Sequence, residues 1–293
     1  MTDKKQNSEK KKMGTITLVA TPIGNLGDIS ERAVETLKNA DLIAAEDTRH
    51  SGMLLNHLGI KKPMVSYHKF NERSQEAAIL RTLAEGKDVA LVSDAGTPGI
   101  SDPGWLIIQA AANQDCKIDA VPGPCAAIQA LVLSGLRTER FAFEGFLPRG
   151  NKLPTYLEEM KSETRTMVIY ESPHRVKGTL KSLLDTFGPQ RQVAVCRELT
   201  KIFQEVNRGT LGEIYEMWQE REVQGEFVLV VEGAEIDKTQ TVDMEEVKAR
   251  LARYIDAGMK HKAAAKEIAL IYDIPVKVVY DLGLQLKEEK QDK

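Results

Sequence analysis

The sequence predicts an α/β protein made of two domains around mostly parallel sheets, with a small helical appendage at the C-terminus. From Thr15 onward, short apolar β-rich runs alternate with amphipathic helical stretches, the pattern of strand–helix units. At 293 residues the chain exceeds the roughly 100–200 residues of one usual core. Beyond Gly233 the strand signals stop, and charged, alanine-rich helical sequence runs to the end.

Residues 16–20 read as the first strand. The turn-rich run Thr21-Pro22-Ile23-Gly24-Asn25-Leu26-Gly27-Asp28 follows, and residues 30–39 carry Ala33, Val34 and Leu37 at helical spacing. Further strands are expected at 42–45, 64–66, 88–92 and 117–121, with helices at 53–58, 72–85 and 103–113 between them. Pro122-Gly123-Pro124 ends the fifth strand and leads into a small-residue helix over 125–134, after which Gly135-Leu136-Arg137-Thr138 reads as the interdomain link. In the second domain, strands are expected at 141–144, 165–170, 192–198, 203–208 and 227–231, and helices at 153–161, 176–187 and 211–219. The close spacing of the last strands predicts an antiparallel portion. The expected division is a disordered basic tail over 1–12, α/β domains over 13–136 and 137–234, and a helical tail over 235–293. In that tail, residues 262–269 and 275–280 fit a helix-turn-helix or a plain helical hairpin, and both readings stay open.

Net charge is -3, which removes any bulk electrostatic case for a nucleic-acid partner, so RNA binding has to be argued from a site. Cys116, Cys125 and Cys196 are odd in number and lack metal spacing; reduced thiols and no metal site are expected. No apolar run approaches the ~20 residues of a membrane span. The first twelve residues, with Lys4, Lys5, Lys10, Lys11 and Lys12, lack the apolar core of a signal peptide, so a cytosolic protein without a membrane partner is expected.

Three sharp loops leave strand ends of the first domain, where open α/β sheets bind ligands. Neither a dinucleotide glycine fingerprint nor a P-loop pattern is present, which disfavours nicotinamide cofactors and nucleoside triphosphates. Val92-Ser93-Asp94-Ala95-Gly96-Thr97-Pro98-Gly99 sets one carboxylate beside glycines and a threonine, a loop suited to an amino-acid carboxylate or to ribose hydroxyls. The alternative is that Asp94 caps the helix starting near Ser101-Asp102-Pro103. Val121-Pro122-Gly123-Pro124-Cys125-Ala126-Ala127 enters a helix through tiny residues that permit close approach of a flat ring. The cluster Ala45-Glu46-Asp47-Thr48-Arg49-His50 is too rich in ionisable groups for mere core. His57 and His261 read as ordinary surface or helix-face residues.

Together with Pro22-Ile23-Gly24-Asn25, these loops resemble those of the tetrapyrrole methylase-like methyltransferases, over Met13 to about Gly233. In that class two αβα domains hold the cofactor in the cleft between them. Within it, residues 20–26, 45–49, 92–98, 122–126, 144–148, 170–175 and 197–201 are similar to the small-subunit (16S) ribosomal RNA 2′-O-ribose methyltransferases, which modify a decoding-centre cytidine. The resemblance implies S-adenosyl-L-methionine as methyl donor, 16S rRNA in the small ribosomal subunit as substrate, a cytoplasmic location and a homodimer.

Carried over residue by residue, it implies cofactor contacts at Ile23, Gly24, Asp94, Thr97, Cys125 and Ala126, with backbone near Glu171 and Phe227 around the adenine. Ser93-Asp94-Ala95 stands where the class often has Gly-Asp-Pro, so of these three residues the resemblance carries over Asp94.

Methylation of a ribose hydroxyl is an in-line displacement that needs alignment and removal of a proton. The possible bases are Glu46, Asp47, His68, Glu171, His174 and Glu198, from which Asp47, Glu171 and His174 are taken as catalytic. Arg49, His68, Arg175, Arg197 and Lys201 are expected on the RNA side. Two other readings compete: the same class acting on a corrin precursor or a diphthamide intermediate, and a non-enzymatic RNA-binding module led by the C-terminal helices.

Overall fold

Five short apolar runs pair in parallel to form the first sheet: β1 (Thr15–Val19), β2 (Leu42–Ala45), β3 (Met64–Ser66), β4 (Val89–Val92) and β5 (Lys117–Val121), in the order β3-β2-β4-β1-β5. The computed structural model describes residues 12–235, 243–272 and 274–291, without the side chains of 287–291. Lys4, Lys5, Lys10 and Lys11 of the expected basic tail lie outside the described residues.

Strand β4 is buried at all four positions, as a central parallel strand covered on both faces must be. Its alternation divides the core. Val89 and Leu91 pack with Ile79, Leu83 and Ile107 on one face, while Ala90 and Val92 pack with Leu37, Ile43 and Leu55 on the other. The covering helices are α1 (Glu31–Asn39), α2 (Thr48–His57), α3 (Glu72–Ala84) and α4 (Trp105–Ala112). Ser30 caps α1 by accepting from the Ala33 N–H, and Ala33 and Leu37, one turn apart, are its buried face. Helix α2 begins five residues before the expected start at 53, because Asp47 accepts from the Arg49 N–H and caps it.

The second sheet is mixed: β6 (Phe141–Phe146), β7 (Thr166–Glu171), β8 (Gln192–Arg197), β9 (Glu205–Thr210) and β10 (Phe227–Val231), ordered β6-β7-β10-β8-β9. Only β6 and β7 pair in parallel; the other pairings are antiparallel. Strand β9 starts two residues later than expected from the sequence, since the ladder with β8 closes at Arg197 opposite Glu205 and leaves Phe203 outside it. Helices α6 (Lys152–Met160), α7 (Val176–Phe187) and α8 (Leu211–Gln219) cover one face around the buried Trp218, and Thr210 with Glu213 forms a capping box at the start of α8.

The opposite face of this sheet is covered by α5 (Ala126–Ser134), a helix that follows β5 in the chain. Its Ala127, Ala130 and Leu131 pack with Val168, Ala194, Cys196, Val228 and Val230. Small residues let the helix lie close on the strands, and Gly135, at φ 77°, ends it. Helix α5 and the Ile23 side chain therefore join the two sheets in one unit that ends at Ala234.

The remaining residues form a unit of their own. Helices α9 (Met244–Asp256), α10 (His261–Tyr272) and α11 (Val276–Gln291) bury Val247, Leu251, Ala264, Ala265, Ile268, Ala269 and Val279 together. His261, at the first position of α10, stacks on Tyr280 with ring centroids 4.4 Å apart, in a space that a side chain at Gly283 would fill.

Candidate active site

The strands of the first sheet all point one way, so the loops after them share one edge. The chain leaves β1 and β2 toward one face, into α1 and α2, and leaves β4 toward the other, into α4. Such a divergence opens a crevice at the strand ends. A cavity of about 220 Å³ lies there, lined among others by Thr21, Pro22, His50, Ser51, Ser93 and Asp94.

Backbone and side-chain hydrogen bonds tie these loops into one rim. Thr21 and Gly96 exchange N–H···O bonds of 2.9 and 3.0 Å. The Asp47 N–H donates to Asp94 Oδ1 at 3.0 Å, and the Thr97 hydroxyl donates to the Pro124 carbonyl at 3.0 Å. Gly96 has φ 80°, a conformation that favours glycine, and Ile23 packs directly over it.

The ends of β6, β7 and β8 face this rim. The Tyr170 hydroxyl accepts from the Ala127 N–H at 3.1 Å, at the start of α5 beside Cys125. The Lys201 methylenes occupy the space a side chain at Gly24 would need. Ser101, in the left-handed region at φ 63°, approaches Gly145 of β6. The cofactor residues expected from the sequence on the first domain, Ile23, Gly24, Asp94, Thr97, Cys125 and Ala126, thus fall on loops that converge. Phe227 differs: its side chain packs edge-on against Trp218, 5.3 Å between centroids, in the core under α6 to α8, so only its main chain faces other partners.

Glu46 and Asp94 are neighbours, the Asp94 N–H donating to Glu46 Oε2 at 3.5 Å, and Asp102 joins them. Burial first, then the charges of Glu46 and Asp94, push the Asp102 carboxyl up to about 6, while a hydrogen bond from Ser93 works the other way. Glu46 is likewise raised, by burial and then by Asp94, with His68 and Lys69 opposing. In the sequence Asp102 belongs to Ser101-Asp102-Pro103, which marks a helix start. The available signal was a second carboxylate eight residues after Asp94 in the same strand-end loop.

The other expected catalytic residues are placed differently. Asp47 caps α2 and binds the Arg49 guanidinium at 2.7 Å, which holds its carboxyl well below the usual range and makes it a weak base. The Glu171 side chain has no exposure; it accepts from the Thr179 hydroxyl at 2.6 Å and the Ser172 N–H at 2.8 Å, with Arg175 at 3.5 Å. Glu171→Ala is expected to cost about 2 kcal/mol by leaving the Thr179 hydroxyl and the Ser172 N–H without their acceptor, read as a lower midpoint in urea unfolding. His174 is exposed at the start of α7, on a groove of about 570 Å³ between Pro148–Gly150 and that helix.

On the expected RNA side, Arg49 is 90% exposed at the rim. His68 lies in the loop after β3, its Nδ1 accepting from the Phe70 N–H at 3.3 Å. Arg175 donates to the carbonyls of Leu147 and Pro148 at 3.1 and 3.3 Å. Arg197 pairs with Glu205 at 2.8 Å, and Lys201 with Glu198 and Glu226 at 2.8 and 3.1 Å. These three cations are engaged in holding the second domain's loops. Among the described residues no cluster of three or more His, Cys, Asp or Glu is arranged to hold a metal ion, and no helix is long and apolar enough to cross a membrane.

A crevice at the ends of a parallel sheet, faced by the strand ends of a mixed sheet, defines a two-domain α/β class, and the family of Tetrapyrrole (Corrin/Porphyrin) Methylases matches residues 15–215. The solved structure of a diphthine synthase shares this fold with TM-score 0.59 at 16% identity, over 75% of this chain and 89% of that one. A uroporphyrin-III C-methyltransferase from Thermus thermophilus, solved with S-adenosyl homocysteine, does so with TM-score 0.54 at 18% identity, over 75% and 97%. The ribosomal RNA small subunit methyltransferase I of Synechocystis sp. is 42% identical over 278 residues, 94% of this chain and all of that one. Its counterpart in Halalkalibacterium halodurans is 44% identical over 277 residues, 92% and 94%. The chain belongs to the ribosomal RNA small subunit methyltransferase I family, within the tetrapyrrole methylases.

Proposed function

We propose that this protein uses S-adenosylmethionine to methylate the ribose 2′-oxygen of a decoding-centre cytidine in 16S rRNA, as a cytoplasmic homodimer. The observation that carries the cofactor assignment is the crevice itself: Asp94 lies on its wall, and two other lining residues, Thr21 and Ser51, have buried hydroxyls without a hydrogen-bond partner among the described residues. Orphaned hydroxyls and a carboxylate lining one crevice suit a polar ligand rich in hydroxyl and amino groups. Whole-length kinship to small-subunit rRNA methyltransferases supports the RNA acceptor over a corrin or diphthamide acceptor, between which the shared fold does not discriminate.

Asp94 and Thr97, with the main chain of residues 21–24 and 125–126, would hold the donor. S-adenosylmethionine, when bound, supplies an electrophilic methyl group on a sulfonium. Asp102 and Glu46 are the carboxylates best suited to take the ribose proton, since burial and mutual repulsion make them stronger bases than an ordinary carboxylate. The Ser101 side chain, whose Oγ approaches Gly145 of β6, anchors the residue next to Asp102. Arg49 offers a guanidinium to a phosphate. Arg49→Ala should leave stability within about 0.5 kcal/mol and donor affinity unchanged, while raising KM for small subunits several-fold.

Labelled donor should be offered with assembled small subunits, naked rRNA and a corrin precursor, followed by nuclease mapping and mass spectrometry. Label on a cytidine ribose is the expected result. Transfer to the corrin precursor alone, or to a base atom, would overturn the assignment.

A further inference from the structure

The turn after β3 holds two aromatic residues with opposite fates. Tyr67 is fully buried, whereas Phe70, three residues on, is 86% exposed. The exposure is imposed by a locked turn. Asn71 accepts from the His68 N–H at 2.8 Å and donates to the Ser66 carbonyl at 3.0 Å, and the Phe70 N–H donates to His68 Nδ1 at 3.3 Å. The ring stands with Lys69 Nζ 5.2 Å from its centre and the His68 ring edge-on at 6.0 Å. Lys69 is exposed, as is Arg73 in the first turn of α3. His68 and Lys69 are close enough to Glu46 for their charges to act on its carboxyl. Strand β3 lies two strand spacings, about 10 Å, from β4, the strand whose following loop carries Asp94.

We propose that Phe70 is a stacking platform for an unpaired base of the substrate RNA, close to the methylated nucleotide, with Lys69 and Arg73 taking the flanking phosphates. The proposal rests on the reading of rRNA as substrate. A single exposed ring with a lysine ammonium against it fits a flat base on a polyanionic chain. A protein partner would call for a wider apolar core around it. Pre-ordering of the turn means the ring is presented without further loss of chain entropy on binding.

The test measures kcat and KM of the full chain with unmethylated small subunits and labelled donor. Phe70→Ala is expected to raise KM on the order of tenfold, with kcat, donor affinity and Tm unchanged. Phe70→Trp should restore KM, and Phe70→Leu, apolar but without a π face, should not. A single-stranded RNA oligonucleotide should compete better against wild type than against Phe70→Ala, and a duplex of the same sequence should compete equally. A wild-type KM in Phe70→Ala, full rescue by leucine, or loss of a dimer in Phe70→Ala would each overturn the stacking role while RNA methylation persists. Failure of the wild-type chain to methylate any RNA would overturn the substrate reading as well.

Discussion

Asp102→Asn is expected to make the protein more stable near neutral pH and to lower methylation by about two orders of magnitude or more. An unfolded aspartate titrates near 3.8, and in the fold this carboxyl is pushed up to about 6 by burial and by Glu46 and Asp94. Between those values the folded state binds more protons than the unfolded one, so stability falls as pH rises through that window, and the full cost is present above it. Asparagine, neutral throughout, removes the cost. The side chain is partly solvated, so the gain is about 1 kcal/mol, or roughly 2–4 °C in Tm. An amide cannot accept the ribose proton. Wild-type kcat should rise as pH passes through about 6 and then level, a limb that the asparagine variant lacks. Wild-type turnover in the variant would remove Asp102 from the chemistry, and a lowered Tm would contradict the burial argument.

The second large effect is expected at Asp94. Asp94→Ala removes the acceptor of the Asp47 N–H, so the loop after β4 loses its tie to the start of α2, together with the one carboxylate on the cavity wall. Charge-assisted hydrogen bonds contribute about 1.5–3 kcal/mol, which corresponds to a ten- to hundredfold loss of donor affinity by calorimetry. Asp94→Asn separates the two contributions, because it keeps an acceptor for Asp47 and loses the charge. Donor affinity unchanged in Asp94→Ala would withdraw the loop from cofactor binding, whatever its effect on Tm.

These two residues differ in how far the sequence announced them. Asp94 was visible because glycine, threonine and proline after a buried β-run mark a sharp turn at a strand end, and that position alone makes a binding loop. Asp102 was not. Its preceding Ser101 and following Pro103 read as a helix start, and its proton affinity arises from burial and then from Glu46 and Asp94, which reach it only when β2 and β4 lie side by side. The cations show the same limit. Arg197 and Lys201 look free in the sequence, yet Glu205 and Glu226, contributed by β9 and by the turn before β10, neutralise them in the fold.

What the sequence determined by itself was the alternation of strands and helices, the parallel first sheet, the mixed second one and the loops of the crevice, because burial periodicity and turn chemistry are local properties. The tertiary structure alone decided that α5 serves the second sheet rather than the first, that Phe227 points into the Trp218 core, that Glu171 is enclosed and that Phe70 is held out in solvent. Each of those outcomes depends on a partner distant in the chain or on a side chain's facing, and a one-dimensional pattern carries neither.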